Sequence, residues 1–148
     1  MKTVKNILDA KDGRICSIHP KATVFEALKR MSELEIGAVI VQDETGVVRG
    51  ILSERDYARK VPLQGKTSRE TLVDEIMTPA ERMHTVKPTN TLDDCMVLMT
   101  AKQVRHLPVF DEGHFLGLIS IGDVVGAIIS EKQTLIDQLS NYISGKNG

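Results

Sequence analysis

The sequence predicts a mixed α/β (α+β) fold built from two tandem copies of one β-α-β-β-α unit. The main observation is an internal repeat, because the segment that begins at Pro20 matches the segment that begins at Pro88, 68 residues later. In both copies apolar residues recur at helical spacing, and two short apolar strands joined by a turn follow the helix. Two small repeats that share one core fit a chain of 148 residues.

The first helix of each copy has one apolar face. Its core positions stand at i, i+3, i+4 and i+7, namely Val24, Ala27, Leu28 and Met31 in the first copy and Leu92, Cys95, Met96 and Met99 in the second. Thr23 and Thr91 each stand three residues before an acid, which is the spacing of a capping box. We therefore predict amphipathic helices over residues 22–34 and 90–101 that depend on packing for their stability.

The remaining elements follow the same order in both copies. Predicted strands include residues 15–18, 38–41 and 50–53 of the first copy and residues 83–86, 107–110 and 117–120 of the second. The second helices are predicted over residues 54–60 and 121–131. The predicted boundaries are residues 1–61 for the first repeat, 62–78 for a linker with a short helix, 79–131 for the second repeat and 132–148 for a C-terminal helical tail.

Composition and motif content argue against several classes of function. Lys and Arg number 19 against 20 Asp and Glu, so no basic field supports binding to nucleic acid. The sequence has no signal peptide and no apolar run long enough to span a membrane, so we expect a soluble, cytoplasmic protein. The two cysteines and four histidines lack disulfide or metal-ligand spacing, and we expect no metal. Neither a Gly-x-Ser-x-Gly elbow nor a phosphate-binding glycine loop is present, so catalysis is not expected.

Both units end on the pattern Gly-x-x-Ser-x-x-Asp. Its residues are Gly50, Ser53 and Asp56 in the first copy and Gly117, Ser120 and Asp123 in the second. One interpretation is structural, because a serine followed three residues later by an acid forms a capping box. The other is a ligand site, since a helix start favours phosphate or ribose oxygens and a carboxylate can accept both hydroxyls of a ribose diol. The recurrence at matched places favours the ligand site.

The paired units, the two Gly-x-x-Ser-x-x-Asp ends and the Met77-Thr78-Pro79 joint resemble the CBS-domain family over residues 5–130. The resemblance implies pseudo-twofold symmetry and two clefts that hold AMP, ADP, ATP, NAD or S-adenosylmethionine. It implies a regulatory module that senses energy or redox state, catalyses nothing and signals to a separate partner protein. Two alternatives remain open: a protein-interaction module with vestigial clefts, and a small hydrolase or transferase.

The resemblance also implies that each cleft takes residues from both repeats. One site would combine Ser53, Arg55, Asp56, His84, Val104, Arg105 and His106. The other would combine Ile15, Cys16, Ile36, Gly37, Ala38, Ser120 and Asp123. Cationic groups gather on the first site, since Arg55 has Gly122 as its counterpart in the second repeat. We therefore expect the first site to bind phosphate more tightly.

The C-terminal region carries apolar residues beyond the two repeats. Leu135, Leu139 and Ile143 stand at helical spacing, and Val124, Ala127 and Ile128 precede them in the last helix. A lone module cannot readily cover so many apolar positions. We therefore predict a homodimer that meets through helical faces, as the family resemblance also implies.

Overall fold

The computed structural model describes residues 1–11 and 15–145. The helices are α1 (Val4–Ala10), α2 (Val24–Leu34), α3 (Glu54–Lys60), α4 (Val73–Ile76), α5 (Leu92–Lys102) and α6 (Ile121–Ile143). The strands are β1 (Ser17–Ile18), β2 (Ala38–Gln42), β3 (Val48–Ser53), β4 (Thr78–Pro79), β5 (His106–Asp111) and β6 (His114–Ser120). Among the described residues the chain forms two packing units, a first unit of residues 15–83 and a second unit of residues 1–11 with 84–145.

The first unit is a four-stranded sheet in the order β1-β2-β3-β4, with helices against it. Strands β1 and β2 are parallel, whereas β3 is antiparallel to both β2 and β4. The core of this unit contains Ile18, Val24, Ala27, Met31, Val39, Val41, Leu52, Val61, Val73 and Ile76. Ile18, Val39, Val41 and Leu52 come from the strands, and Val24, Ala27 and Met31 come from the apolar face of α2 that the helical periodicity predicts.

Gly50 lies on β3 where β4 comes closest. A Cβ at this position would collide with the carbonyl oxygen of Thr78 and lie 2.9 Å from the sulfur of Met77. The first glycine of the Gly-x-x-Ser-x-x-Asp pattern is therefore required by strand packing in this unit.

The second unit contains the β5-β6 hairpin with α1, α5 and α6. Its two-residue turn, Glu112 and Gly113, has φ of 49° and 80°, the left-handed values that a type I′ turn requires. The predicted strand over residues 83–86 is wrong except at Val86, which forms one parallel bridge to Val109. The core contains Val4, Ile7, Val86, Leu92, Cys95, Met99, Leu107, Val109, Ile119 and Val124.

Helix α1 is an element that the sequence analysis did not predict. Its residues Val4 and Ile7 are buried in the second unit, and the amide of Val4 donates to the carbonyl of Asn90 at 2.9 Å. The amide of Val73 makes the equivalent bond in the first unit, to Ala22 at 2.8 Å. The segment that precedes each repeat thus packs in the unit of the other repeat. Packing therefore groups residues 1–11 with 84–145, whereas the predicted boundary of 1–61 follows the sequence repeat.

Helix α6 runs for 23 residues without a break. The predicted end of the second repeat at Glu131 is therefore not the end of a helix, although the tail is helical as predicted as far as Ile143. Residues 132–145 are all exposed. Within residues 1–11 and 15–145, no helix is long and apolar enough to cross a membrane.

Candidate functional site

The first Gly-x-x-Ser-x-x-Asp pattern places Ser53 at the end of β3 and at the N-cap of α3. The amide of Asp56 donates to Ser53 Oγ at 3.2 Å, and the amide of Ser53 donates to Asp56 Oδ2 at 3.0 Å. This is a reciprocal capping box, an arrangement that stabilises a helix by about 0.5–2 kcal/mol. The structural interpretation of the motif is therefore correct, and ligand binding would be an additional role of the same residues.

The second pattern repeats this geometry at the start of α6. The amide of Asp123 donates to Ser120 Oγ at 3.0 Å, and the amide of Ser120 donates to Asp123 Oδ2 at 2.8 Å. Each motif aspartate thus holds its helix through one oxygen, Oδ2. Oδ1 of Asp56 has further contacts within its unit, whereas no described residue bonds to Oδ1 of Asp123.

Asp56 lies close to a cation within the first unit. Its Oδ1 lies 3.5 Å from Lys60 Nζ, and the hydroxyl of Thr78 donates to Oδ1 at 3.4 Å. Lys60 Nζ also donates to the carbonyl of Ile76 at 3.0 Å, which fixes the ammonium beside the motif. Lys60 was not among the predicted site residues, although its i,i+4 spacing from Asp56 is a signal for an ion pair that the sequence contains.

Asp123 also pairs with a lysine. Lys11, which follows α1, donates from Nζ to Asp123 Oδ2 at 2.8 Å and to the carbonyl of Leu118 at 3.0 Å. Burial acts to raise the pKa of Asp123, but the bonds from Lys11 and Ser120 outweigh it and lower that pKa below the ordinary value. The carboxylate is therefore ionised at neutral pH.

These lysines change the expected distribution of charge. The sequence analysis assigned little charge to the site of Asp123, yet Lys11 places an ammonium directly on that carboxylate. No pattern in the sequence could reveal this contact, because it depends on helix α1 packing against residues 88–90. The second site therefore also has a cation beside its aspartate, and tighter phosphate binding at the first site stays a prediction.

The other predicted residues of the first unit lie near Ser53 or at the start of the sheet. Ala38 pairs with Ser53 across β2 and β3, and the carbonyl of Gly37 accepts from the amide of Glu54 at 3.0 Å. The carbonyl of Cys16 accepts from the amide of Ile40 at 3.2 Å, just before β1. Ile15 is half exposed, whereas Ile36 and Arg55 are partly buried.

The thiol of Cys16 remains protonated at neutral pH. Burial raises its pKa, and the positive charge of Arg30 opposes this only in part. The side chain is therefore a neutral, weakly polar surface.

In the second unit, the start of β5 lies beside Ser120. His106 pairs with Ser120 across β5 and β6, and the carbonyl of Arg105 accepts from the amide of Ile121 at 2.8 Å. Val104 packs against the core, and His84 lies two residues before the bridging Val86. Each unit thus gathers one serine-aspartate cap and one strand start. The predicted combination of the Ser53 cap with Arg105 and His106 stays a prediction.

His106 does not act as a cation at neutral pH. Burial lowers its pKa, the charge of Asp123 raises it, and the charges of Lys11 and Arg105 lower it, with a net shift below the ordinary 6.5. The sequence analysis counted His106 among the cationic groups. Its imidazole is instead mainly neutral at pH 7 and can both donate and accept a hydrogen bond.

The fold and the two caps define a class of protein: a tandem pair of α/β repeats, each with a strand-to-helix turn capped by serine and aspartate. The family model of the CBS domain matches this chain twice, over residues 5–62 and 73–130. The chain belongs to the CBS-domain family. Its members are generally regulatory and non-catalytic, and their domains commonly bind adenosine ligands.

Relatives share this organisation over nearly the whole chain. The CBS domain-containing protein CBSX3, mitochondrial, of Arabidopsis thaliana is 36% identical over 97% of this chain and 72% of its own length. The CBS domain-containing protein YhcV of Bacillus subtilis is 28% identical over 96% of this chain and 91% of its own length. A solved protein with CBS domains from Burkholderia ambifaria has 45% identity and a TM-score of 0.83, covering 87% of this chain and 95% of that one. The predicted family and fold class are confirmed.

Proposed function

We propose that this protein is a regulatory module that binds an adenine nucleotide, AMP, ADP, ATP or NAD, and signals its presence to a partner protein. The observation that carries the proposal is the pair of equivalent serine-aspartate caps, Ser53 with Asp56 and Ser120 with Asp123. Each cap holds a partly buried carboxyl group in a fixed position. Family membership supports the ligand class, since CBS domains commonly bind adenosine ligands.

The chemistry of the caps suits a ribose. Each carboxylate uses Oδ2 within the capping box, and Oδ1 can accept a hydroxyl of a cis-diol. Asp56 and Asp123 are only 15% and 26% exposed, so water competes weakly for a hydroxyl bound there. Lys60 and Lys11 lie beside these carboxylates and supply positive charge for a phosphate.

The strand starts suit an adenine base. In the first unit, backbone groups and apolar surface are offered by residues 36–38 and the neutral thiol of Cys16. In the second unit, backbone groups and apolar surface are offered by Val104 and the neutral imidazole of His106. A base read through backbone and neutral groups fits a site that accepts several adenine nucleotides. Following the family resemblance, we propose that each base is enclosed by the repeat that does not supply the aspartate.

The exposed face of α6 supports the proposal of a homodimer in the cytoplasm. Ile129, Ile136, Leu139 and Ile143 are 53–82% exposed, which is a large apolar stripe for one helix. A structural relative, the CBS-CP12 protein from bloom-forming cyanobacteria, is described as hexameric and has 27% identity with a TM-score of 0.70. We propose that α6 associates with α6 of a second copy.

Titration calorimetry with AMP, ATP and NAD tests the proposed function. We expect binding to the native protein, and at a hundred times the dissociation constant the ligand should add about 2.7 kcal/mol to the free energy of unfolding. Adenine without ribose should not bind. The double variant Asp56→Asn with Asp123→Asn keeps an oxygen for each cap but removes both charges, and it should lose binding.

Asp137→Asn is the matched control, because Asp137 lies on the exposed part of α6 and contacts Gln133 only one turn away. This variant should bind nucleotide like the native protein. Absence of any adenine nucleotide binding at millimolar concentration would leave the interaction-module alternative as the better account. Release of product from any nucleotide during the titration would instead support the enzyme alternative.

A further inference from the structure

We infer that Lys11 is a phosphate-binding residue of the cap formed by Ser120 and Asp123, and that it makes this cap select nucleotides over unphosphorylated nucleosides. The inference rests on the proposed function and deepens it, because it assigns the chemical group that the second cap recognises beyond ribose. It depends only on contacts within the second unit.

The ammonium of Lys11 is held by two acceptors. Nζ lies 2.8 Å from Asp123 Oδ2 and 3.0 Å from the carbonyl oxygen of Leu118. An ammonium has three N–H donors, so among the described residues one donor is left for a further oxygen. The side chains of Lys11 and Asp123 are 40% and 26% exposed, so a ligand can reach both.

The position of Lys11 is set by buried structure. Lys11 follows α1, and its amide donates to the carbonyls of Ile7 and Leu8 at 3.2 Å each. The helix is anchored by Val4, which is fully buried, and by Ile7. The carbonyl of Leu118 belongs to β6, so it holds the ammonium near the cap even when the carboxylate turns to a ligand.

Ligand binding at this cap does not require the ion pair to break. A ribose hydroxyl can donate to Asp123 Oδ1, while Lys11 stays on Oδ2 and turns its remaining N–H toward a phosphate oxygen. Without Lys11, the carboxylate of Asp123 and the phosphate would lie near each other without the positive charge of the lysine. The two anions would then repel each other.

An ordinary surface ion pair on the same helix provides the control. Lys5 pairs with Asp9 at 3.0 Å with i,i+4 spacing, and both side chains are more than 60% exposed. Lys5→Met therefore removes one lysine from the segment 1–11, as Lys11→Met does, without touching the cap.

The experiment isolates the second cap by placing every variant in an Asp56→Asn background. Calorimetry then compares AMP with adenosine for the background protein and for the added changes Lys11→Met, Lys11→Arg and Lys5→Met. Charge-assisted bonds of this kind correspond to roughly a tenfold to hundredfold change in affinity. We expect Lys11→Met to weaken AMP at least tenfold and adenosine less than about threefold, while Lys11→Arg and Lys5→Met keep the preference for AMP.

Three outcomes would overturn the inference. In the first, Lys11→Met leaves the affinities for both AMP and adenosine unchanged; in the second, it weakens both affinities by the same factor, as a purely structural role would. In the third, the Asp56→Asn background binds no nucleotide although the native protein does. The last result would show that the second cap is not a nucleotide-binding site, and it would leave the proposed function intact. Failure of the native protein to bind any nucleotide would contradict both the inference about Lys11 and the proposed function. Melting curves of all variants identify any loss of folding, and Lys11→Arg retains the charge if Lys11→Met is unstable.

Discussion

The substitutions Gly50→Ala and Gly117→Ala should have different effects on stability, although both change the same position of the repeated motif. A Cβ on Gly50 would collide with the carbonyl oxygen of Thr78, and it would also lie 2.9 Å from the sulfur of Met77. The oxygen belongs to β4, whose pairing with β3 places Pro79 directly opposite Gly50. Relief of the collision therefore requires the two strands to separate.

At Gly117 the obstacle is a movable side chain. The new Cβ would lie 2.9 Å from the end of the Leu8 side chain, and no other atom of residues 1–11 and 15–145 lies within 4 Å outside the glycine's chain neighbours. Leu8 can change rotamer, and alanine also lowers the entropy of the unfolded chain, which stabilises a protein by about 0.4–1 kcal/mol. We expect Gly117→Ala to change the free energy of unfolding by no more than about 1 kcal/mol, against a loss of about 1–3 kcal/mol for Gly50→Ala.

Urea unfolding followed by circular dichroism measures this difference directly. For a chain of this size each kcal/mol also lowers the melting temperature by roughly 2–4 °C, so a thermal scan gives an independent check. Equal losses for the two variants, or a greater loss for Gly117→Ala, would show that the close approach of Thr78 to Gly50 does not determine the need for glycine in the motif.

Three further predictions concern binding, pH and assembly. Asp56→Ala should weaken the tightest nucleotide-binding event more than Asp123→Ala, because both arginines of the predicted site are expected beside Asp56; calorimetry would contradict this if only Asp123→Ala abolished tight binding. Since the pKa of His106 is lowered on folding, the unfolded chain binds a proton first as pH falls below about 6.5, so the free energy of unfolding should decrease there. Denaturant titrations at pH 7.5 and 5.5 should show that the free energy of unfolding decreases less for His106→Gln than for the native protein. An equal decrease in the two proteins would refute the assignment to His106. Light scattering at micromolar concentration should find a dimer that Leu139→Lys converts to monomer, whereas a monomeric native protein would rule out the proposed association through α6.

The sequence predicted the elements that local patterns determine. Helices α2 and α5 follow from apolar periodicity, and their observed starts lie two residues later than predicted because Thr23 and Thr91 act as N-caps outside the helices. The amide of Glu26 donates to the Thr23 hydroxyl at 3.1 Å, and the second cap has both halves of the predicted box. Helix α3 spans Glu54–Lys60 as predicted.

The elements that the sequence analysis missed depend on distant contacts. Helix α1 has only seven residues, and it is fixed by bonds to carbonyls more than 80 residues away. The predicted strand over residues 83–86 fails because it has only one bridge, between Val86 and Val109, in the described structure. Helix α6 continues past Glu131 because no proline interrupts residues 132–143.

The same distinction applies to the candidate site. Ser53, Asp56, Ser120 and Asp123 are visible in the sequence because a capping box has a fixed local spacing. Lys11 is not visible, because 112 residues separate it from Asp123. The neutral state of His106 is also hidden in the sequence, since burial is its largest cause.

The packing of α1 has a consequence for the order of events during synthesis. Residues 1–11 leave the ribosome before the first unit does, yet the carbonyls of Pro88 and Asn90 that anchor them are made more than 75 residues later. All four strands of the first unit lie within residues 15–83, so this unit is fully synthesised while the N-terminal segment still lacks its partner. During that interval Val4 and Ile7, which are buried in the finished protein, remain in water. The entropic cost of closing a loop grows only slowly with the length of the loop. The long separation between residues 1–11 and their anchoring carbonyls therefore adds little to the free energy of folding.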